Sequence, residues 1–445
     1  MPWQPRRVLL AGVFVLAALA PAAAQTPTRD RPFPVIREAR RWGPFLVDPS
    51  FVIDNIGYDD NVYFAPTNVD DADRPRESDF VVRMGPDIRA QLQFGPRVAL
   101  TFRDRASGEV FLSHSNLNHL DNTLEGQFDV LLGPLLLTAK GRLLTAEDRP
   151  YSELVDRTKR EEQGASIGAR LFLTPRVDLG GSVGTVDTTY HDPNRFYTIF
   201  APDPDGDGTV AVTTTIDQAL DRSRTETQAD IGWRPRGRVR LFLAYKEREV
   251  DFETNVEGVS RDSREEQQMA GLEFATDAYL SGRLIYGRSE LNAVDSAGLY
   301  RPFDGPVSDT ELTYRPTGAT RIRARYLRDI GFSTYLGNLY FEDTQRRLEM
   351  DVYTAGRWGF QVGASRQNTD YPEPGSYVEG PGNTAVIDPD AFREDEITDY
   401  YGGLIFSLRG GLQLGLRYGV RDRDSTDPFA VERQHYITTT GSYSF

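Results

Sequence analysis

The chain has 445 residues, a formal net charge of −15, 39% hydrophobic residues and no cysteine. The missing cysteines exclude disulfide scaffolds, thiolate chemistry and zinc–cysteine sites, and the acidic balance argues against a nucleic-acid partner, whose phosphates demand a basic surface. The low hydrophobicity excludes a helical membrane protein but not a β-barrel, because a spanning strand offers only every second residue to lipid.

Residues 1–24 read as a signal peptide, with Arg6 and Arg7 before an apolar run, Val8 to Ala20, and a small-residue cleavage site at Ala22-Ala23-Ala24. A short leader, 25–44, follows and is expected in the periplasm; it carries Arg37, Arg40 and Arg41. From Phe45 to Phe445 the chain repeats one unit: an alternating apolar/polar run, a tight turn, and a second alternating run. The turns fall at Gly95-Pro96, Gly133-Pro134, Thr174-Pro175, Pro235-Arg236-Gly237, Thr276-Asp277, Pro316-Thr317-Gly318, Thr354-Ala355-Gly356 and Arg409-Gly410.

Eight hairpins built on these turns, with a lone first and last strand, predict eighteen strands. The fold class is therefore all-β: a single transmembrane antiparallel up-and-down barrel over 45–445, with sixteen strands as the alternative count. An even count puts both termini at the tight-turn end, which faces the periplasm in bacterial outer-membrane barrels. The expected location is the outer membrane of a Gram-negative bacterium, in contact with its lipid.

The alternation assigns faces. Ile88, Ala90, Leu92 and Phe94 alternate with Asp87, Arg89, Gln91 and Gln93; Val239, Leu241, Leu243 and Tyr245 alternate with Arg240, Phe242, Ala244 and Lys246. Projected inward, the polar face supplies a candidate solute path of Arg89, Arg97, Arg103, Arg142, Arg170, Arg240, Lys246, Arg248, Arg321, Arg323, Arg325, Arg417 and Arg421. Glu125, Asp129, Asp178, Glu226, Asp230, Glu265, Glu311 and Glu349 fall on the same face. Arginine rings attract anions, and facing acids and bases set up a transverse field.

The longest connections, about 59–78, 191–220 and 372–395, are rich in Asp, Pro, Gly and Asn, as outward-facing loops are. Within one of them Asp203, Asp205 and Asp207 have the one-three-five spacing of a calcium loop, followed by Gly208. Position twelve is Thr214 rather than a bidentate glutamate, so a Ca²⁺ held there would stabilise a loop, and no other cofactor is expected. Aromatics near strand ends, among them Tyr58, Tyr63, Phe64, Tyr190, Tyr340, Phe341, Tyr400 and Tyr401, suggest interfacial girdles. The histidines His114 and His119 have no fixed-spacing catalytic motif around them, and the chain reads as a non-enzyme.

The segment Gly57-Tyr58-Asp59-Asp60-Asn61-Val62-Tyr63 after the first strand resembles the outer-membrane barrel family known as β-barrel porin type 2. The terminal strand, ending in Phe445, resembles the signal read by the barrel-assembly machinery. That family resemblance implies association with exopolysaccharide or capsule export and partners among periplasmic export components; it lends no catalytic residues. Three functions stand open: an exopolysaccharide export pore with an arginine-lined lumen, a general or solute-selective diffusion porin, and a structural or adhesive surface barrel.

Overall fold

A computed structural model describes residues 27–29, 32–34, 40–67, 75–149, 157–191, 196–202, 209–215, 220–236, 238–253, 260–275, 279–294, 300–333, 338–354, 357–373, 376–380, 384–388, 392–408, 412–427 and 430–444. The predicted signal peptide, the Asp203/Asp205/Asp207 turn and Phe445 lie outside the described residues.

Eighteen strands form the wall, as the turn count predicts. They are β1 (Phe45–Asp59), β2 (Asp79–Phe94), β3 (Val98–Phe111), β4 (His119–Leu132), β5 (Leu135–Asp148) and β6 (Thr158–Phe172). Next come β7 (Val177–His191), β8 (Arg222–Arg236), β9 (Val239–Phe252), β10 (Ser263–Ala275), β11 (Leu280–Ala293) and β12 (Phe303–Thr317). The last are β13 (Thr320–Phe332), β14 (Tyr340–Tyr353), β15 (Trp358–Asp370), β16 (Glu394–Ser407), β17 (Gln413–Ser425) and β18 (Glu432–Ser444). Each pairs antiparallel with its sequence neighbours, and β1 pairs with both β2 and β18, so the sheet closes without an edge. Two further hairpins, Phe196–Pro202 with Thr209–Thr215 and Ser376–Gly380 with Thr384–Asp388, stand in the two largest loops.

Which face is concave follows from polar contacts that skip a strand, since side chains converge only on the inner face of a closed sheet. Arg105 on β3 reaches Asp54 on β1 at 2.5 Å, Arg83 on β2 reaches Asp121 on β4 at 2.6 Å, and Arg417 on β17 reaches Gln361 on β15 at 2.6 Å. Arg170 on β6 crosses Gly180 of β7 to meet Asp230 on β8 at 2.8 Å. A Cβ on Gly180 would stand 2.3 Å from that carboxylate, so the strand between must be bare there. The polar phase of the sequence is therefore the inner one.

The outer phase is apolar and carries two aromatic rows. Phe94, Trp233, Tyr279, Tyr314 and Trp358 are exposed near the tight turns, and a second set lies further along the strands, Tyr245, Tyr286, Tyr400 and Tyr418 about halfway and Tyr58 at the loop end. Their amphipathic rings suit the two membrane–water boundaries. Of the aromatics expected in girdles, Tyr58 and Tyr400 belong to them, whereas Tyr190, Tyr340 and Phe341 are buried. Tyr401 follows Tyr400 and so faces inward, where its hydroxyl donates to Glu349. Clustering near strand ends locates aromatics along the axis; only the alternation phase decides inside from outside.

Candidate functional site: the lumen and its two mouths

Nearly every predicted path residue lies on the inner wall, and most bring an acid with them. Arg103 meets Asp87 at 2.7 Å, and Arg89 meets the same carboxylate at 3.4 Å. Arg142 stands 3.6 Å from Glu162, Lys246 is 3.3 Å from Glu226, and Arg248 is 2.7 Å from Glu265. The run Arg321/Arg323/Arg325, three like charges on one face, is answered by Asp351, Glu349 and Glu311 at 2.6, 2.8 and 3.6 Å. Arg421 is registered between Asp399 and Gln434. Arg97 differs from the expectation: it falls in the tight turn itself and is exposed at the rim rather than set on the wall.

The densest network lies near the tight turns of β6 to β9. Asp178, fully buried, receives Arg170, Arg234 and Arg240, and Asp230 receives Arg170 and Arg240. The sequence phase places Asp178, Asp230, Arg170 and Arg240 on this face, but only the register brings them into one cluster. Arg234 and Asp351 were not among the residues expected in the path; both share its alternation phase, which is the signal that could have found them.

At the tight-turn mouth the leader lies against inward-facing side chains. Gln91 on β2 donates to the Pro34 carbonyl at 2.8 Å, and Arg234 on β8 donates to the Pro27 carbonyl at 3.1 Å. The two anchors are six strand positions apart on the ring of eighteen, so they span about a third of the circumference. Arg40–Trp42 then pairs with Phe45–Val47 of β1, beyond the point where β18 ends at Ser444↔Ser50.

At the opposite mouth the Gly57–Tyr63 motif turns into the barrel. The Asp59 carboxylate accepts the Asn61 N–H at 2.9 Å and the Gln434 amide at 2.6 Å, tying β1 to β18. Asn61 exchanges hydrogen bonds with both backbone groups of Ala65, at 3.0 and 2.8 Å, and Val62 packs against Val81 and Phe111. Arg149 pairs with Glu432 at 3.1 Å and stacks over Phe64 at 4.3 Å; burial draws its guanidinium down to about 10. On the facing side a cluster of Val250, Phe252, Leu291, Tyr300, Phe303 and Leu339 fills the space under the loops.

His114 and His119 are both held by neighbouring carboxylates. His114 sits between Glu77 and Asp79, the latter 2.9 Å from Nδ1, and those two carboxylates raise its affinity for a proton. His119 is buried beside Glu109 at 3.1 Å. Among the described residues no group of three or more His, Asp or Glu is placed to hold a metal ion.

Residues 38–351 match the protein family described as "Putative beta-barrel porin 2". The chain belongs to this family. It is thus a member of a family of outer-membrane barrels of porin type, and the resemblance carried by the Gly57–Tyr63 segment holds. No curated protein matches it. Among solved structures it is similar to Pseudomonas aeruginosa OccK2 (OpdF), at 12% identity and TM-score 0.46 over 90% of this chain and 97% of that one. Acinetobacter baumannii OccAB3 gives 10% identity and TM-score 0.45, over 90% of this chain and 99% of that one. The copper transporter OprC gives 11% identity and TM-score 0.45, over 92% and 82%. No residue role is carried over from these three.

Proposed function

We propose that this family member is a diffusion channel for small charged solutes across the outer membrane. The observation that carries the reading is the compensated inner wall: arginines and carboxylates alternate around an eighteen-stranded ring, a size at which porin-type barrels keep an aqueous channel. Such a lumen holds water and a transverse field rather than a uniform positive surface. An exopolysaccharide conduit, the other expectation, would be favoured by spare arginine charge along the path and by wide mouths. The acid partners of Arg321, Arg323 and Arg325 speak against the first. The packed loops and the leader speak against the second.

Liposome swelling tests this directly. Vesicles carrying the refolded chain should admit a neutral pentose, and admit a neutral tetrasaccharide far more slowly. Equal rates for both, or no swelling with either, would contradict a narrow diffusion channel.

A further inference from the structure

The outer face of the ring is not the same all round. On β9, β11 and β15 the outward alternation is apolar for the first half of the strand and then turns charged at Glu247, Arg288 and Arg366, each eight residues from the tight-turn end. Ion pairs lie along that upper half: Arg288 meets Asp304, and Arg366 meets Glu396 at 2.5 Å. On β1 to β4 the outward phase instead stays apolar to the loop end. There Phe80, Val110, Leu112 and Leu120 are all exposed, the last two at 66%. The wall is interrupted by Asp104, which accepts from the Asn122 amide at 3.1 Å near the height where the other strands turn charged.

An outer-membrane barrel keeps charge off its lipid-facing apolar band, so the row of Glu247, Arg288 and Arg366 marks where lipid chains give way to headgroups and water. Phe80, Val110, Leu112 and Leu120 stand beyond that row, and no lipid tail covers them. The register sets them together: Val110 is opposite Val82, the Leu112 N–H bonds the Phe80 carbonyl, and Leu120 is opposite Gly108. A contiguous apolar patch left in water marks a contact surface.

The dimensions suit a second barrel. Four strands about 4.8 Å apart and about fourteen residues long, at about 3.3 Å per residue, make a face of about 900 Å². Each partner in an interface of standard size contributes about 800 Å². Two copies inserted in one membrane share one orientation, so a two-fold axis along the membrane normal lays this face onto itself at equal height. The same operation sets the β18 margin of one copy against the β5 margin of the other. The outward charges nearest the loops on those margins are opposite in sign: Arg433 on β18, 55% exposed beside Asp422, and Glu147 on β5.

We propose that the outer wall of β1 to β4 is the contact face of a parallel dimer. A second copy of this chain covers the apolar patch, and Arg433 of each copy faces Glu147 of the other. The contact does not depend on what the lumen carries.

Because the chain has no cysteine, an introduced one reports the contact. Val110→Cys stands in the middle of the patch, near the proposed axis. Oxidised in vesicles at low protein-to-lipid ratio, the refolded chain with this change should run as a disulfide-linked dimer. Tyr286→Cys, exposed on the outer face of β11, should stay monomeric. Adding Leu112→Asp/Leu120→Asp to Val110→Cys should cut the dimer yield about tenfold, since each carboxylate would be desolvated in the contact. Arg433→Glu should also lower the yield, and Glu147→Arg in the same chain should restore it. Heat-resistant electrophoretic mobility checks that each variant has closed its barrel, and Leu120→Asp alone replaces the double if that has not. Monomer from both Val110→Cys and Phe80→Cys overturns the proposal. So does equal cross-linking at Tyr286→Cys, or a yield that neither the aspartates nor Arg433→Glu move.

Discussion

Asp178 shows how this wall holds charge. Its carboxylate is fully buried against Arg170, Arg234 and Arg240. A buried pair repays its desolvation only while both partners are present, and removing one partner typically costs about 3–5 kcal/mol. Asp178→Asn should therefore lower unfolding stability by roughly that amount, measured by urea titration in lipid vesicles, whereas Arg366→Gln on the outer face should move it by less than about 1 kcal/mol. Gly57 is constrained differently: a Cβ there would lie 1.7 Å from the Ile437 carbonyl oxygen. Gly57→Val should block docking of β18 on β1, seen as loss of the heat-resistant folded band. Among the loop groups, His114 carries a pH dependence with a definite sign. Its proton affinity is raised by Glu77 and Asp79, so its stabilisation is fully present below the ordinary histidine range, about 6.5, and fades as pH rises through the raised value. A ring titration by NMR should place its midpoint above that of His114 in the unfolded chain, and Glu77→Gln should bring it down; an unmoved midpoint would discard the Glu77 contact.

Elements differ in how far their placement could be read from sequence. Turns and strand faces were legible, because each hairpin has its own punctuation and period-two alternation survives in either register. Thus Arg89, Arg103 and Arg325 could be placed inward from the pattern alone. What such residues meet could not, since Asp87 reaches Arg103, Glu349 reaches Arg323 and Glu311 reaches Arg325 through cross-strand register, and register is a tertiary property. Arg97 was misplaced because alternation was carried one residue into a turn, where it no longer applies. The leader gives no periodic signal at all; its contacts with Gln91 and Arg234 exist only once β2 and β8 curve round a common lumen. Since it lies against the tight-turn mouth, a chain beginning at residue 35 should conduct more than one beginning at residue 25 in planar bilayers. Equal conductance would mean that the leader leaves the path clear.

At the scale of the molecule, closure joins these features. The eighteen-stranded ring removes every edge, turns an apolar surface with two aromatic rows outward, and gathers arginines and acids inside. The family assignment is consistent with that division, and the Gly57–Tyr63 segment that first suggested it proves to tie β1 to β18 and to shape the loop-side mouth. Single-channel recording of refolded residues 25–445 in planar bilayers tests the central claim most directly. The account predicts discrete conductance steps with an open level that persists without any added partner protein. A chain that inserts with its heat-resistant fold and yet gives no steps in potassium chloride would contradict it.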